Sequence, residues 1–288
     1  MRFRFIDEYR RRWPIEVMCR VLCVSRSGYY AWRRRPMSPR MRRRVVLLEA
    51  IRGSHRESRG IYGSPRIHRD LKARGIRCSR NTVARLMHQH HLRSKLKRRF
   101  VVRTTDSRHD HPIARNLLAR RFHWGQPNQA WCCDLTYVPT DEGWLYLAVV
   151  LDLCSRKVVG WAMDDHLRST LVEEALMMAI VQRKPDPGAG LIHHSDRGVQ
   201  YACESYRQLL KSHGLIPSMS ARGDCHDNAV AERFMGSLKT EWVHHERYAT
   251  RRQARLSVFH YIEVFYNRQR RHSTLGYVSP EEYERKLN

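Results

Sequence analysis

Trp131-Cys132-Cys133-Asp134-Leu135-Thr136-Tyr137-Val138 is a mostly apolar run with a single carboxylate in it, and its reading decides the fold. It stops at Pro139. Asp141-Glu142-Gly143 has turn chemistry, a second apolar run follows from Trp144 to Leu151, and a third, rich in Val and Trp, spans 157–163. Three short runs so spaced predict an antiparallel meander. Beyond them the period changes. Residues 170–183 place Leu171, Ala175, Met178 and Ala179 on one helical face. Pro185-Asp186-Pro187-Gly188 breaks that helix before a fourth strand at 191–194, with Asp196 just past its end. A helix at 205–213, a fifth strand at 215–219 and a loop at 220–226 come next. A helix capped by Asp227 then carries Glu232, and a last helix at 250–266 leads into a basic tail. The order βββαβαβα predicts an α/β fold, a five-stranded mixed sheet with helices on both faces.

Upstream of this region the chemistry is different. Lys and Arg number 34 against 8 Asp and Glu across residues 1–121, but 20 against 20 across 122–288, so the formal charge of +26 belongs to the first part of the 288-residue chain. Such a division suits a segment that neutralises a polyanion beside an ordinary globular domain, and nucleic acid is the expected partner. No apolar run is long enough to span a bilayer, and the opening Met-Arg-Phe-Arg-Phe lacks an apolar leader. The expected location is therefore cytoplasmic and nucleoid-associated, without membrane contact. Eight scattered cysteines, with no Cys-x-x-Cys, predict free thiols and no zinc.

Two helix-turn-helix patterns occupy the basic part. In the first, Pro14 opens a helix through Val17, Met18, Val21 and Leu22, and a second carries Tyr29, Tyr30 and Trp32; Arg33 to Pro39 reads as its end and a linker. In the second, Ser64-Pro65 starts a helix bearing Ile67 and Leu71, Gly75-Ile76 turns, and Ser79 caps a helix with Val83, Leu86 and Met87. The polar positions of that last helix are Arg80, Asn81 and Arg85, side chains suited to guanine and adenine edges or simply to a solvated surface.

Asp134, Asp196 and Glu232 converge if the first and fourth strands are neighbours and the following helix closes over them. Carboxylates so placed repel one another, and divalent cations with oxygen preference, Mg²⁺ first, resolve that repulsion. Two ions roughly 4 Å apart serve phosphoryl transfer by activating the attacking oxygen and stabilising the leaving one. Lys239, seven positions after Glu232, shares its helical face and is placed to grip a phosphate. Asn228, one turn before Glu232, has three open uses: steadying the site, touching DNA, or starting the helix. His193 and His194 are expected to pack the strand.

The local sequences narrow this further. Trp131-Cys-Cys-Asp134-Leu-Thr136, His194-Ser-Asp196-Arg-Gly-Val-Gln-Tyr201, the stretch from Ser220 through Asp227-Asn-Ala-Val-Ala-Glu232, and Tyr266-Asn-Arg-Gln-Arg-Arg-His-Ser-Thr-Leu-Gly-Tyr277 resemble the DDE transposases of the insertion sequence three family. Within that family, part of the retroviral integrase superfamily, the likeness is to the second reading frame product. The 35 residues between Asp196 and Glu232 match the family's gap, and Tyr62-Gly-Ser-Pro-Arg66 matches its upstream helix-turn-helix.

The resemblance implies an RNase H-like core in which Asp134, Asp196 and Glu232 are catalytic and hold two Mg²⁺ ions, with Mn²⁺ able to substitute. It implies hydrolytic cleavage at the ends of a DNA element, then attack by the freed 3′-hydroxyl on another phosphodiester. Double-stranded DNA, as terminal repeats and as target, is the implied partner, with a homo-oligomer assembled on it and an upstream reading-frame product as a further partner. Arg66, Arg80, Asn81, Arg85, Asn228, Lys239, Arg268, Arg270 and Arg271 are the expected DNA contacts. The expected organisation is a helix-turn-helix-like segment at 1–36, a helix-turn-helix domain at 45–100, a basic linker at 101–121, and the catalytic core with its C-terminal helix and tail at 122–288. A DNA-binding regulator without catalysis, or a nuclease of the same fold that only hydrolyses, are the alternatives.

Overall fold

In the computed structural model, residues 1–95, 111–221 and 225–287 are described. The basic run at 97–99 and the larger part of the expected linker, 101–110, lie outside them. The chain begins with three short helices, α1 (Arg2–Tyr9), α2 (Ile15–Val21) and α3 (Arg26–Arg34), around a small core of Ile6, Met18, Cys19 and Tyr29. The sequence pattern identifies α2 and α3 but not α1. A long helix follows, α4 (Pro39–Glu57), which the sequence pattern does not identify; it starts at the last residue of the expected linker. Its start is chemically ordinary: Ser38 accepts a hydrogen bond from Met41 N–H, with proline at the first helical position.

Helices α5 (Ser64–Ala73) and α6 (Arg80–Gln89) form the second helical pair. Ser79 caps α6 by accepting from Thr82 N–H, while Gly63, not Ser64, occupies the cap position of α5. Between them Gly75 adopts φ +76°, a left-handed turn that glycine takes without steric cost.

The remainder is the sheet and its covering helices: β1 (Ala130–Thr140), β2 (Gly143–Asp152), β3 (Val158–Asp164), α7 (Ser169–Arg183), β4 (Ile192–Ser195), α8 (Val199–Ala202), α9 (Glu204–Ser212), β5 (Ile216–Met219), α10 (Ala229–Glu241), α11 (Arg251–Phe259), a π-helical turn His260–Tyr266, and α12 (Pro280–Arg285). The strand order is β3-β2-β1-β4-β5. The pairs β1·β2 and β2·β3 are antiparallel, while β1·β4 and β4·β5 are parallel. The expected mixed sheet is present, with β1 and β4 adjacent.

Alternation along β1 sorts its side chains between two cores. Trp131, Cys133 and Leu135 pack with α7 and α9, whereas Ala130, Cys132 and Val138 face the layer containing α10 and the π-helical turn. Asp134 shares the parity of the second set. Gly160 on β3 is required by the first layer: a Cβ there would lie 2.2 Å from the carbonyl oxygen of Ala175. The second core is larger than the sheet needs. It runs from Ile67, Leu71, Val83 and Leu86 of the helical pair through Leu145, Leu147 and Val149 to Phe234 and Leu238 of α10. Each fully buried Leu or Ile contributes roughly 1.5–3 kcal/mol, so the helical pair and the sheet domain are joined by apolar burial. Among the described residues no helix is long and apolar enough to cross a membrane.

Candidate active site

Register places the first two carboxylates. The parallel pairing of β1 with β4 matches Cys132 with His194, and Asp134 and Asp196 each lie two residues beyond that last pair, toward the same end of the sheet. Asp196 lies just beyond β4, and its Oδ1 accepts the Gly198 N–H at 2.9 Å, which fixes the turn after the strand. Glu232 stands in the first turn of α10, on the side of the sheet that Asp134 faces. The three meet electrostatically at Asp134. Burial is the largest cause holding the Asp134 carboxyl well above the usual carboxylate range; the charge of Asp196 adds to it, and Glu232 adds less. The Leu135 N–H, 2.9 Å from Oδ1, and Lys239 oppose the shift.

The arrangement is open. Among the described residues, only Asp164, Asp165 and His166 bring three ligand atoms within 4.8 Å of one another, so the triad is wider than a single-ion cage. Asp134 is half-buried and Glu232 exposed. Three hard oxygen donors, one of them held above the usual carboxylate range by burial and by its neighbours, fit divalent cations of the Mg²⁺ or Mn²⁺ type.

The surroundings are built from the same elements. Lys239, two turns beyond Glu232 on α10, holds its Nζ 4.8 Å from the Tyr137 ring centre; burial lowers its ammonium pKa and Asp134 counters that. His194 engages Ser218 Oγ through Nδ1 at 2.9 Å and Ser220 Oγ through Nε2 at 3.1 Å. His193 Nε2 lies 2.7 Å from Cys133 Sγ and 3.0 Å from Tyr206 Oη. Burial pushes His194 down to about 4 and His193 to about 3, so both are neutral packing groups of β4.

The start of α10 differs from expectation. Asp227 lies in a 3₁₀ turn, Cys225–Asn228, and Asn228 holds the cap position. Asp227 is buried instead in contacts with the segment that leads into the sheet: its Oδ2 accepts from Asn116 Nδ2 at 2.8 Å and Ala221 N–H at 3.0 Å, and Arg120 is 3.4 Å away. The described end of the expected linker is thus fastened to the core, with Leu117 N–H donating to Ser218 Oγ. Asn228 does not cap its own helix; its Nδ2 donates to the Cys133 carbonyl at 2.8 Å.

The arginines divide into two groups. Arg80, Asn81 and Arg85 are exposed on α6, and Arg268 is exposed with Glu281 at 3.5 Å. Arg66, Arg270 and Arg271 lie at the internal interface between the helical pair and the catalytic layer. Arg270 forks onto Glu241 with bonds of 2.6 and 2.5 Å and also meets His272. Arg66 donates to the Arg271 carbonyl at 2.9 Å and lies 3.6 Å from Glu241. Arg271 reaches Asp70 of α5 at 3.1 Å and the Tyr277 carbonyl at 3.0 Å. The tail therefore departs from the picture of a phosphate-binding strand at Arg270 and Arg271, because a buried guanidinium already forked onto a carboxylate has few donors to spare. Glu241 is a functional partner that the motifs above do not single out. Its signal was the spacing Phe234, Leu238, Glu241, an acid in line with an apolar helical stripe.

Comparison with known proteins agrees with this architecture. Integrase core domain families match residues 125–225 and 213–280, and an HTH-like domain family matches 42–100. The transposase InsF for insertion sequence IS3A of Escherichia coli (strain K12) is 43% identical over 288 residues, 99% of each chain. An insertion element IS600 31 kDa protein of Shigella sonnei is 45% identical over 271 residues, 94% of this chain and 98% of its own. Among solved structures, the catalytic core domain of BIV integrase aligns with 55% of this chain and 95% of its own, at 18% identity and a TM-score of 0.42. With 43% identity over nearly the whole of both chains and integrase core families matching residues 125–225 and 213–280, the chain belongs to the insertion sequence three family of transposases.

Proposed function

We propose that the protein binds the ends of its insertion element and catalyses divalent-metal-dependent DNA strand cleavage and strand transfer at Asp134, Asp196 and Glu232. The observation that carries this reading is the topology: β1 and β4 are parallel neighbours that run out toward Asp134 and Asp196 at the same end of the sheet, and α10, which bears Glu232 in its first turn, packs on the face of β1 that Asp134 shares. These residues would hold Mg²⁺, or Mn²⁺ in its stead, and the bound metal supplies activation of an attacking oxygen and stabilisation of a leaving one. Lys239, half-buried on the same helix, offers a fixed positive charge to a neighbouring phosphate. Arg80, Asn81 and Arg85 on α6 would contact the duplex, as the second helix of such a pair does in a major groove. Arg268, exposed in the tail, would meet a phosphate. The working form would be a homo-oligomer on DNA in the cytoplasm.

Asp196→Asn tests the assignment. Cleavage and joining of labelled element ends should fall to background while gel-shift affinity for those ends stays within about twofold. Retained joining by the variant would refute the triad. Supplying pre-cut ends to the wild type separates strand transfer from hydrolysis alone: joined product is expected, and only nicked or shortened DNA would favour a hydrolytic nuclease.

A further inference from the structure

Asn228 is one helical turn ahead of Glu232, is 5% exposed, and spends its amide outside its own helix. Its Nδ2 donates at 2.8 Å to the carbonyl of Cys133, the residue immediately before Asp134 in β1. Because a carbonyl can only accept, the amide orientation is fixed by chemistry: nitrogen toward Cys133, Oδ1 away from it. That Oδ1 is buried without a hydrogen-bond partner among the described residues. A leucine would fill similar space and remove the unsatisfied Oδ1, but it would take the donor from the buried Cys133 carbonyl, so what the asparagine supplies here is that one bond to β1.

We infer that Asn228 is a positioning residue: its bond to the Cys133 carbonyl ties the first turn of α10 to β1 and sets Glu232 over Asp134. The inference rests on the reading of Asp134, Asp196 and Glu232 as one metal-binding site. Three features of the fold make the tether consequential. The parallel ladder between β1 and β4 is matched only as far as Cys132 and His194, so the backbone around Asp134 is held by other means on that side. The start of α10 has no side-chain cap, so its fastening to the strand falls to this bond and to the Ala231 backbone N–H on the Cys132 thiol. The other end of α10 is anchored separately, by Glu241 on Arg270. A helix pinned at both ends presents Glu232 at one height above the sheet. Released at its start, it leaves the glutamate free to stand away from the two aspartates, and the triad is already wider than a single-ion cage.

Asn228→Ser and Asn228→Leu in the full chain test this. Serine keeps a helix-start residue but is too short for the carbonyl; leucine keeps the volume but has no donor. Thermal unfolding without metal should stay within a few degrees of wild type for at least one of them. In that variant, Mn²⁺ binding followed by water-proton relaxation should weaken about 10- to 100-fold, the range for removing a group that orients a metal ligand. Joining of pre-cut ends should lose kcat by a similar factor, with KM for the DNA unchanged.

Unchanged Mn²⁺ binding and kcat in a folded variant would overturn the proposal. So would a raised KM with kcat and Mn²⁺ binding intact, which would make Asn228 a DNA contact. Equal loss of metal binding and of folding in both variants would make it structural only. If wild type joined no ends at all, the functional reading would fail first, while the relaxation measurement would still decide whether Asn228 positions Glu232.

Discussion

Two arginine-rich regions of this molecule look alike in sequence and are used differently. Helix α6 carries Arg80 and Arg85 beside Asn81, all exposed, whereas the run Arg268-Gln269-Arg270-Arg271 buries Arg270 and half-buries Arg271. The difference is the acid each finds. Asp70 and Glu241, 201 and 29 residues away in the chain, take Arg271 and Arg270, while no ion pair to Arg80 or Arg85 is present among the described residues. A guanidinium with a buried carboxylate becomes a strut; one without remains available to a polyanion. Strut and DNA contact are therefore distinguished by the partner and not by the residue type.

The strut gives the largest expected effect. Glu241→Ala strands a buried Arg270 and loosens Arg66 with it, and should cost about 3–5 kcal/mol in denaturant unfolding. A loss below 1 kcal/mol would mean that the interface does not depend on the pair. On the other side of the comparison, Arg85→Ala should leave unfolding unchanged and weaken specific end binding by about 1–3 kcal/mol in titrations at fixed salt. Arg80→Ala, if its contact is to a phosphate, should flatten the slope of log affinity against log salt by about one. If instead Arg270→Ala matched Arg85→Ala in sparing stability, the division between the two regions would collapse.

Asp134 sharpens the same comparison from the acidic side, since its neighbours are chiefly like charges. Its folded-state pKa is raised above the usual 3.8, so the stability tied to it is full below that pH and is lost as pH rises toward the raised value. Asp134→Asn should therefore raise the metal-free melting temperature by a few degrees at neutral pH and leave it nearly unchanged near pH 3. Added Mn²⁺ should stabilise wild type at neutral pH and have little effect on the variant. A variant that melts lower than wild type at neutral pH would show that the carboxyl is satisfied in a way its surroundings do not suggest.

Much of the catalytic domain was legible because its signals are local. Alternation along 130–140 and a turn at Asp141-Glu142-Gly143 mark β1 and β2, and the break at Pro185 to Gly188 separates α7 from β4. Helix starts were less dependable. Ser-Pro occurs at 38–39, 64–65 and 279–280; the serine caps a helix at the first and last but is already helical at the second, where Gly63 holds the cap. The dipeptide is compatible with both. At Asp227-Asn228 the choice went to the second residue, because Asp227 is drawn away by Asn116 and Ala221 N–H. The helix α4 escaped notice because its opening Ser-Pro adjoins an arginine run that reads equally well as a linker.

By itself the sequence determined which residues are strand, helix or turn through most of 130–266, and where the breaks between them fall. These follow from periodicity and spacing, properties of neighbours along the chain. Tertiary structure alone decided that Arg270 belongs to Glu241, that Asp227 holds the incoming segment, and that Asn228 serves a strand 95 residues away. Each of these is a pairing of a buried polar group with a distant partner. The desolvation that makes such a pairing necessary arises only once the apolar layers have closed around it.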